Sequence, residues 1–162
     1  MCKVLWFGNN SNIKYLRSTL SSLLTNSPSE RRFRFTFLVA ANGLIEIKTI
    51  LSKISTSSNW SFRLLKWKHN EQPKQLTDEL GDAHITFIPS DPFDPRKSGV
   101  SHNRLTDSIQ SGCIAVASPM DSYRELSKVS LIGDNLSQLF NKAVMEHERL
   151  CRKYNLLRAN YL

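Results

Sequence analysis

The chain alternates between two hydrophobic periodicities, and this alternation constrains its fold more than any other feature. Residues 3–8 (KVLWFG) form a β-rich run closed by a glycine, after which Asn9, Asn10, Ser11 and Asn12 supply turn and N-cap chemistry. Ile13, Leu16, Leu20, Leu23 and Leu24 then recur at helical spacing. Residues 33–41 (FRFTFLVAA) alternate and then turn apolar, as a strand does when both its faces become covered. The pattern continues with a helix over 45–54, a strand over 61–67 (SFRLLKW) and a short helix over 73–80. A fourth strand over 84–90 (HITFIPS) is closed by Pro89 and the loop DPFDPRKSG. A helix over roughly 102–111, a strand over 113–118, a short helix around 123–126 and a stub strand at 131–132 follow.

The last segment, 135–162, reads as one long terminal helix. Leu136, Phe140, Ala143, His147, Leu150, Tyr154 and Leu157 lie on its stripe, and Asp134 or Asn135 caps it. Arg149, Arg152, Lys153 and Arg158 crowd its later turns, where the helix dipole favours cations. His147 within that stripe reads as a packed core histidine rather than a ligand. Strands alternating with helices predict an α/β fold, a three-layer, doubly wound parallel sheet, spanning residues 1–162 as one domain. Such sheets bind ligands outside the carboxyl ends of their strands, near a switch in strand order. That rule selects the loops at 8–12, 41–43, 67–70, 90–101 and 118–122.

Composition narrows the function classes. With 40% hydrophobic residues and a mean hydropathy of −0.34, the chain has the make-up of a soluble globular protein. No apolar run approaches the ~20 residues of a membrane span, and no secretory signal precedes the first strand. Cys2, Cys113 and Cys151 are odd in number and widely spaced, and they read as reduced thiols, two of them in the core. That usage points to the cytoplasm, with peripheral contact to a membrane left open. No CxxC or HExxH pattern occurs and the four histidines are scattered, which argues against a structural metal.

The net charge of +8 is unevenly shared: residues 1–80 hold 12 Lys and Arg against 5 Asp and Glu, and residues 81–162 hold 10 against 9. A basic surface favours phosphate-bearing partners, although a merely solvated basic face explains the charge equally well. Neither GxxxxGK[ST] nor GxGxxG occurs, so the common triphosphatase and dinucleotide signatures are missing. What remains is Gly8 at the first strand–helix turn and a second glycine loop, Lys97 to Gly99. Each leads into a helix whose amino end offers unpaired amides to a phosphate.

The stretch from His84 to Leu126 carries a more specific pattern. Ile88-Pro89-Ser90 ends a strand, and Asn103-Arg104-Leu105-Thr106-Asp107-Ser108 opens a helix. Gly112, the strand Ala115-Val116-Ala117-Ser118 and Tyr123-Arg124-Glu125-Leu126 follow in order. This run resembles the C-terminal, donor-binding domain of GT-B fold glycosyltransferases, the retaining group that includes family four. The resemblance implies a Rossmann-like domain that binds a nucleoside-diphosphate sugar (UDP-, GDP- or ADP-linked) as substrate, with no cofactor and no metal. It places Asp107 on the ribose hydroxyls, and the amides of Gly99, Val100 and Ser101 against the donor diphosphate. Lys97, with Arg96 or Arg104 as substitutes, would neutralise that diphosphate. Trp67 and Lys68 would meet the base, and Gly8 and Asn9 the phosphate or sugar.

Two departures follow from the same comparison. Gly99 stands where many family members carry a glutamate that contacts the transferred sugar. Asn9 stands where many carry an arginine, and Lys14 falls at the spacing of a second cation. The resemblance also covers only the donor half of a two-domain enzyme, so the acceptor-binding half would be a separate partner or a second copy of the chain. Catalytic residues are therefore left unassigned. Two rival readings stand beside the transferase. One is a nucleotide-binding partner module without catalysis; the other is a basic binder of nucleic acid or anionic lipid, although no RNA-binding motif or helix-turn-helix supports nucleic acid. The candidate residues also have ordinary explanations. Asn103 starts a helix, Arg104 can be a solvated charge, Asp107 suits the helix dipole, Trp67 can pack under a loop, and Glu125 can serve the turn it sits in.

Overall fold

Among the described residues, six short strands form a single all-parallel sheet in the order β3-β2-β1-β4-β5-β6. The computed structural model describes residues 1–54, 57–97, 99 and 101–161. The strands are β1 (Cys2–Phe7), β2 (Phe33–Val39), β3 (Trp60–Lys66), β4 (Ile85–Ile88), β5 (Ile114–Ala117) and β6 (Leu131–Ile132). Between and after them come α1 (Ile13–Asn26), α2 (Ala41–Ser52), α3 (Gln72–Asp82), α4 (Asn103–Gln110), α5 (Leu136–Met145) and α6 (His147–Arg158). This is the doubly wound, Rossmann-like arrangement: the chain steps outward from β1 to β3, then returns to the other side of β1 and steps outward again.

The alternation of side chains along the strands builds two cores. Val4 and Trp6 of β1 and Phe33, Phe35, Phe37 and Val39 of β2 face one side, where they meet α1, α2 and α5. Leu5, Phe7 and Leu38 face the other side, against Leu76 and Leu80 of α3. Further along that second face, Leu105 and Ile109 of α4 pack on Ala115 and Ala117 of β5. The first face is rich in aromatic contacts, with Phe33 stacked on Trp60 at 4.4 Å and Phe35 on Phe37 at 4.3 Å. Such pairs add about 0.5–1.5 kcal/mol each beyond the burial of their area.

Three local features differ from the sequence reading. α2 starts at Ala41, not at residue 45, so Gly43 lies in its first turn instead of in a loop. The reason is tertiary: a Cβ at Gly43 would lie 2.4 Å from Asn10 Oδ1, so the bare glycine lets the first turn of α2 pack closely against the loop after β1. The terminal helical segment is interrupted at Glu146 (φ −108°, ψ 19°), which ends α5 and begins α6. The bend lets Leu150 and Tyr154 join the aromatic core while Leu157 reaches the core on the opposite face. The turn around 123–126 is a 3-10 helix, Asp121–Leu126.

All three cysteines are free. Cys113 alone is fully buried, while Cys2 and Cys151 are half-buried against the aromatic core. Burial pushes the Cys113 thiol up to about 12 and the Cys2 thiol up to about 11, which keeps both protonated. His147 is half-buried rather than enclosed, and its ring meets His84 edge-on at 5.4 Å. Among the described residues no helix is long and apolar enough to cross a membrane.

Candidate functional site

The strand order reverses between β1 and β4, and a crevice of about 820 Å³ opens there at the carboxyl ends of β1 to β4. Its volume is in the range of small-molecule sites. The loop after β1 supplies Gly8, Asn9 and Asn12, and the loop after β2 supplies Ala40 to Asn42. The end of β3 contributes Lys66 and Trp67, with His69 and Gln72 behind them. The long loop after β4 and the start of α4 contribute Ser90, Lys97, Ser101, Asn103 and Arg104. A larger groove, about 960 Å³, lies at the opposite, amino end of the sheet, where parallel sheets offer no switch-point crevice.

Two cations define the crevice electrostatically. Arg104, the second residue of α4, is half-buried and donates from Nη1 to the Phe7 carbonyl at 3.2 Å. Gly8 makes room for it: a Cβ there would lie 3.1 Å from that same Nη1 and 3.4 Å from Asn12 Nδ2. Burial disfavours the charge of Arg104, and the Tyr123 hydroxyl beside it acts in the opposite sense. Lys97 donates from Nζ to the Asn12 side-chain carbonyl at 2.7 Å and lies 5.5 Å from the centre of the Tyr15 ring. Its pKa is lowered by burial first and then by the neighbouring charges of Arg104 and Lys14. Neither Lys97 nor Arg104 has an ion-pair partner among the described carboxylates. Two partly desolvated cations side by side repel each other, and an anion between them would relieve that repulsion.

The other basic residues near this loop are already committed. Asp94 receives Lys14 Nζ at 2.6 Å, the Tyr15 hydroxyl at 2.5 Å and Arg96 Nη2 at 2.9 Å, all on one carboxylate oxygen. Arg96 adds bonds from its Nε and its backbone N–H to the second oxygen, each at 3.0 Å. These contacts, Arg96 foremost, hold the Asp94 carboxyl well below the usual carboxylate range. Of the four cations considered for the diphosphate, then, Lys14 and Arg96 are engaged by Asp94, while Lys97 and Arg104 line the crevice.

The remaining candidates are distributed unequally. Asn9 is exposed on the rim, and its carbonyl accepts the Asn12 N–H at 3.0 Å to close the turn into α1. Trp67 lines the crevice at the end of β3 and rests on the Leu5, Phe7 and Leu38 core. Lys68 lies outside the lining. Its amide donates to Gln75 Oε1 at 2.9 Å and its ammonium to Glu71 at 3.1 Å. α4 begins at Asn103, so Gly99 and Ser101 belong to the loop ahead of it, and the first-turn amides are those of Asn103, Arg104 and Leu105. Val100 lies outside the described residues.

Ser101 Oγ donates to Asn103 Oδ1 at 2.5 Å and accepts the Asn103 amide at 3.2 Å, tying the loop to the helix. Asp107 is half-buried one turn further on, not in the lining itself, and its carboxyl has no hydrogen-bond partner among the described residues. Desolvation raises its pKa.

Asn12 lines the crevice, and Tyr15 lies beside Lys97 and bonds Asp94, although their sequence context reads as turn and helix chemistry. A buried asparagine at the end of the asparagine run was the one local sign, since buried amides require partners. No protein-family model matches the chain, and no curated protein matches it.

Proposed function

We propose that the crevice binds a nucleoside-diphosphate sugar and that the chain acts as the donor half of a glycosyltransferase. The observation that carries this reading is the pair Lys97 and Arg104, partly desolvated and without a carboxylate partner among the described residues, at the switch point of a Rossmann-like sheet. A diphosphate between them would supply the missing negative charge through charge-assisted hydrogen bonds. In transfer, the same two cations would stabilise the charge that develops on the departing diphosphate as the glycosidic bond breaks. Trp67 offers an aromatic face for the base, and Gly8 allows close backbone approach of phosphate or sugar. The unpartnered Asp107 carboxylate has accepting capacity for ribose hydroxyls, reached directly or through water.

A second reading, nucleotide binding without transfer, draws on one observation. Gly99 has φ +74°, a conformation that L side chains rarely adopt, so this loop as built disfavours the glutamate found at that position in the family it resembles. Binding is measured by titrating the chain with UDP, GDP and ADP, free and sugar-linked, following tryptophan fluorescence or heat. Saturable binding that weakens with salt supports the donor site. Absence of binding by every nucleotide overturns it, as does RNA or anionic-vesicle binding that nucleotides fail to displace. Turnover of a bound nucleotide sugar separates the first reading from the second.

A further inference from the structure

The loop that brings Lys97 to the crevice is tied to α1 through the Asp94 carboxylate. The Asp94 side chain is only 7% exposed although it lies in a surface loop, and it gathers donors from both α1 and its own loop. Lys14 and Tyr15 reach it from 80 and 79 residues away in sequence, and Arg96 folds back on it from two residues ahead. The neighbouring turn is equally determined, since the Phe93 amide donates to Asp91 Oδ1 at 2.9 Å and the Lys97 amide donates to the Asp94 carbonyl at 2.8 Å. Three residues beyond Asp94, Lys97 then points at Asn12. We propose that Asp94 is a positioning residue that latches the 91–97 loop to α1 and thereby presents Lys97 to the anion in the crevice.

The anion part of this proposal rests on the donor-site reading above; the latch itself does not. The chemistry makes an unusual prediction of sign. Asp94 is a negative charge near Lys97, so a purely electrostatic view holds that its removal strengthens anion binding. A latch predicts the reverse, because a freed loop must be ordered again on binding, at an entropic cost. The carboxylate is also the acceptor for four side-chain bonds, and an amide in its place can accept on one atom only.

Two variants, Asp94→Asn and Tyr15→Phe, test it in the full chain, with circular dichroism as the check of folding. Trypsin cutting after Arg96 reads the latch without any ligand, and cutting after Lys68, in a loop Asp94 does not touch, is the internal control. The expected result is nicking after Arg96 about tenfold faster in Asp94→Asn and about threefold faster in Tyr15→Phe, with the Lys68 rate unchanged. Whichever of UDP, GDP or ADP binds the unaltered protein is expected to bind Asp94→Asn about fivefold more weakly. Unchanged nicking after Arg96, or nucleotide binding as tight as or tighter than that of the unaltered protein, overturns the latch. If the unaltered protein binds none of the three, the donor reading falls while the nicking rates still decide the latch. Should Asp94→Asn not fold, Tyr15→Phe carries the same measurements.

Discussion

At the amino ends of the strands, Lys3 of β1 and Arg34 of β2 share the Asp82 carboxylate at the end of α3. At the carboxyl ends, Lys97 and Arg104 are buried to a similar degree and share nothing of the kind. Arg158, also at the amino end, has no carboxylate partner among the described residues but sits at the last turn of α6 and donates to the Cys113 carbonyl at 3.5 Å, where the helix dipole favours a cation. The contrast shows what a net charge of +8 conceals. Asp82 matches two cations at the amino end, whereas Lys97 and Arg104 at the carboxyl end have no carboxylate partner among the described residues. Structural pairing and ligand pairing use the same side chains, and only the location of the carboxylates distinguishes them.

The comparison is broken most decisively at Arg104. Arg104→Ala is expected to weaken nucleotide binding by roughly 10- to 100-fold, the range of a charge-assisted hydrogen bond. It should leave the urea midpoint unchanged or slightly raised, because a desolvated charge without a carboxylate is removed. Loss of stability with unaltered affinity would place Arg104 with the amino-end cations. At Gly8, an added Cβ 3.1 Å from Arg104 Nη1 displaces the end of a flexible side chain, not the backbone. Gly8→Ala is thus expected to lower affinity by about fivefold with the fold intact, read by titration and circular dichroism.

Asp82 is the mirror experiment. Asp82→Ala strands Lys3 and Arg34 and should cost about 0.5–1 kcal/mol in urea unfolding, discounted for partial exposure, while nucleotide affinity stays the same. A fall in affinity would mean that the two ends are coupled through the sheet. The smallest effect concerns pH. His84 starts at the amino end, accepts the Lys3 amide on Nδ1, and has its pKa lowered by burial first and by His147 second. As pH falls, the unfolded chain protonates this histidine near its ordinary value of about 6.5 before the folded chain does. The stabilisation present above that pH is therefore lost as pH drops through the folded pKa. Urea midpoints should decline between pH 7 and 5.5, and His84→Gln should flatten the decline.

Much of the architecture was legible because it is written in short-range periodicity. The strand at 131–132 and the first helix from Ile13 emerge from the spacing of apolar residues alone. The start of α2 did not, since Gly43 looks like a loop residue until Asn10 is seen against it. The break at Glu146 is likewise set by two cores on opposite faces, which a single stripe cannot express. At the site, Lys97 precedes the Asn103-Arg104-Leu105 motif that contains Arg104, Arg96 adjoins Lys97, and Lys14 stands five residues after Asn9 in the first glycine loop. The Asp94–Arg96 contact spans two residues, but the contacts of Asp94 with Lys14 and Tyr15 join its loop to α1 across about eighty residues, which no local pattern expresses.

By itself, the sequence determined the alternation of strands and helices, the parallel sheet that this alternation requires, and the set of polar residues that end its strands. These follow from backbone geometry and from burial of apolar stripes, which act over a few residues at a time. Only the tertiary structure decided the partners of these charges: Asp82 for Lys3 and Arg34, Asp94 for Lys14 and Arg96, and, among the described residues, no carboxylate for Lys97 and Arg104. A charge takes its character from what lies within a few ångströms, and for Asp82 with Lys3 and Arg34, and for Asp94 with Lys14, those neighbours come from distant parts of the chain.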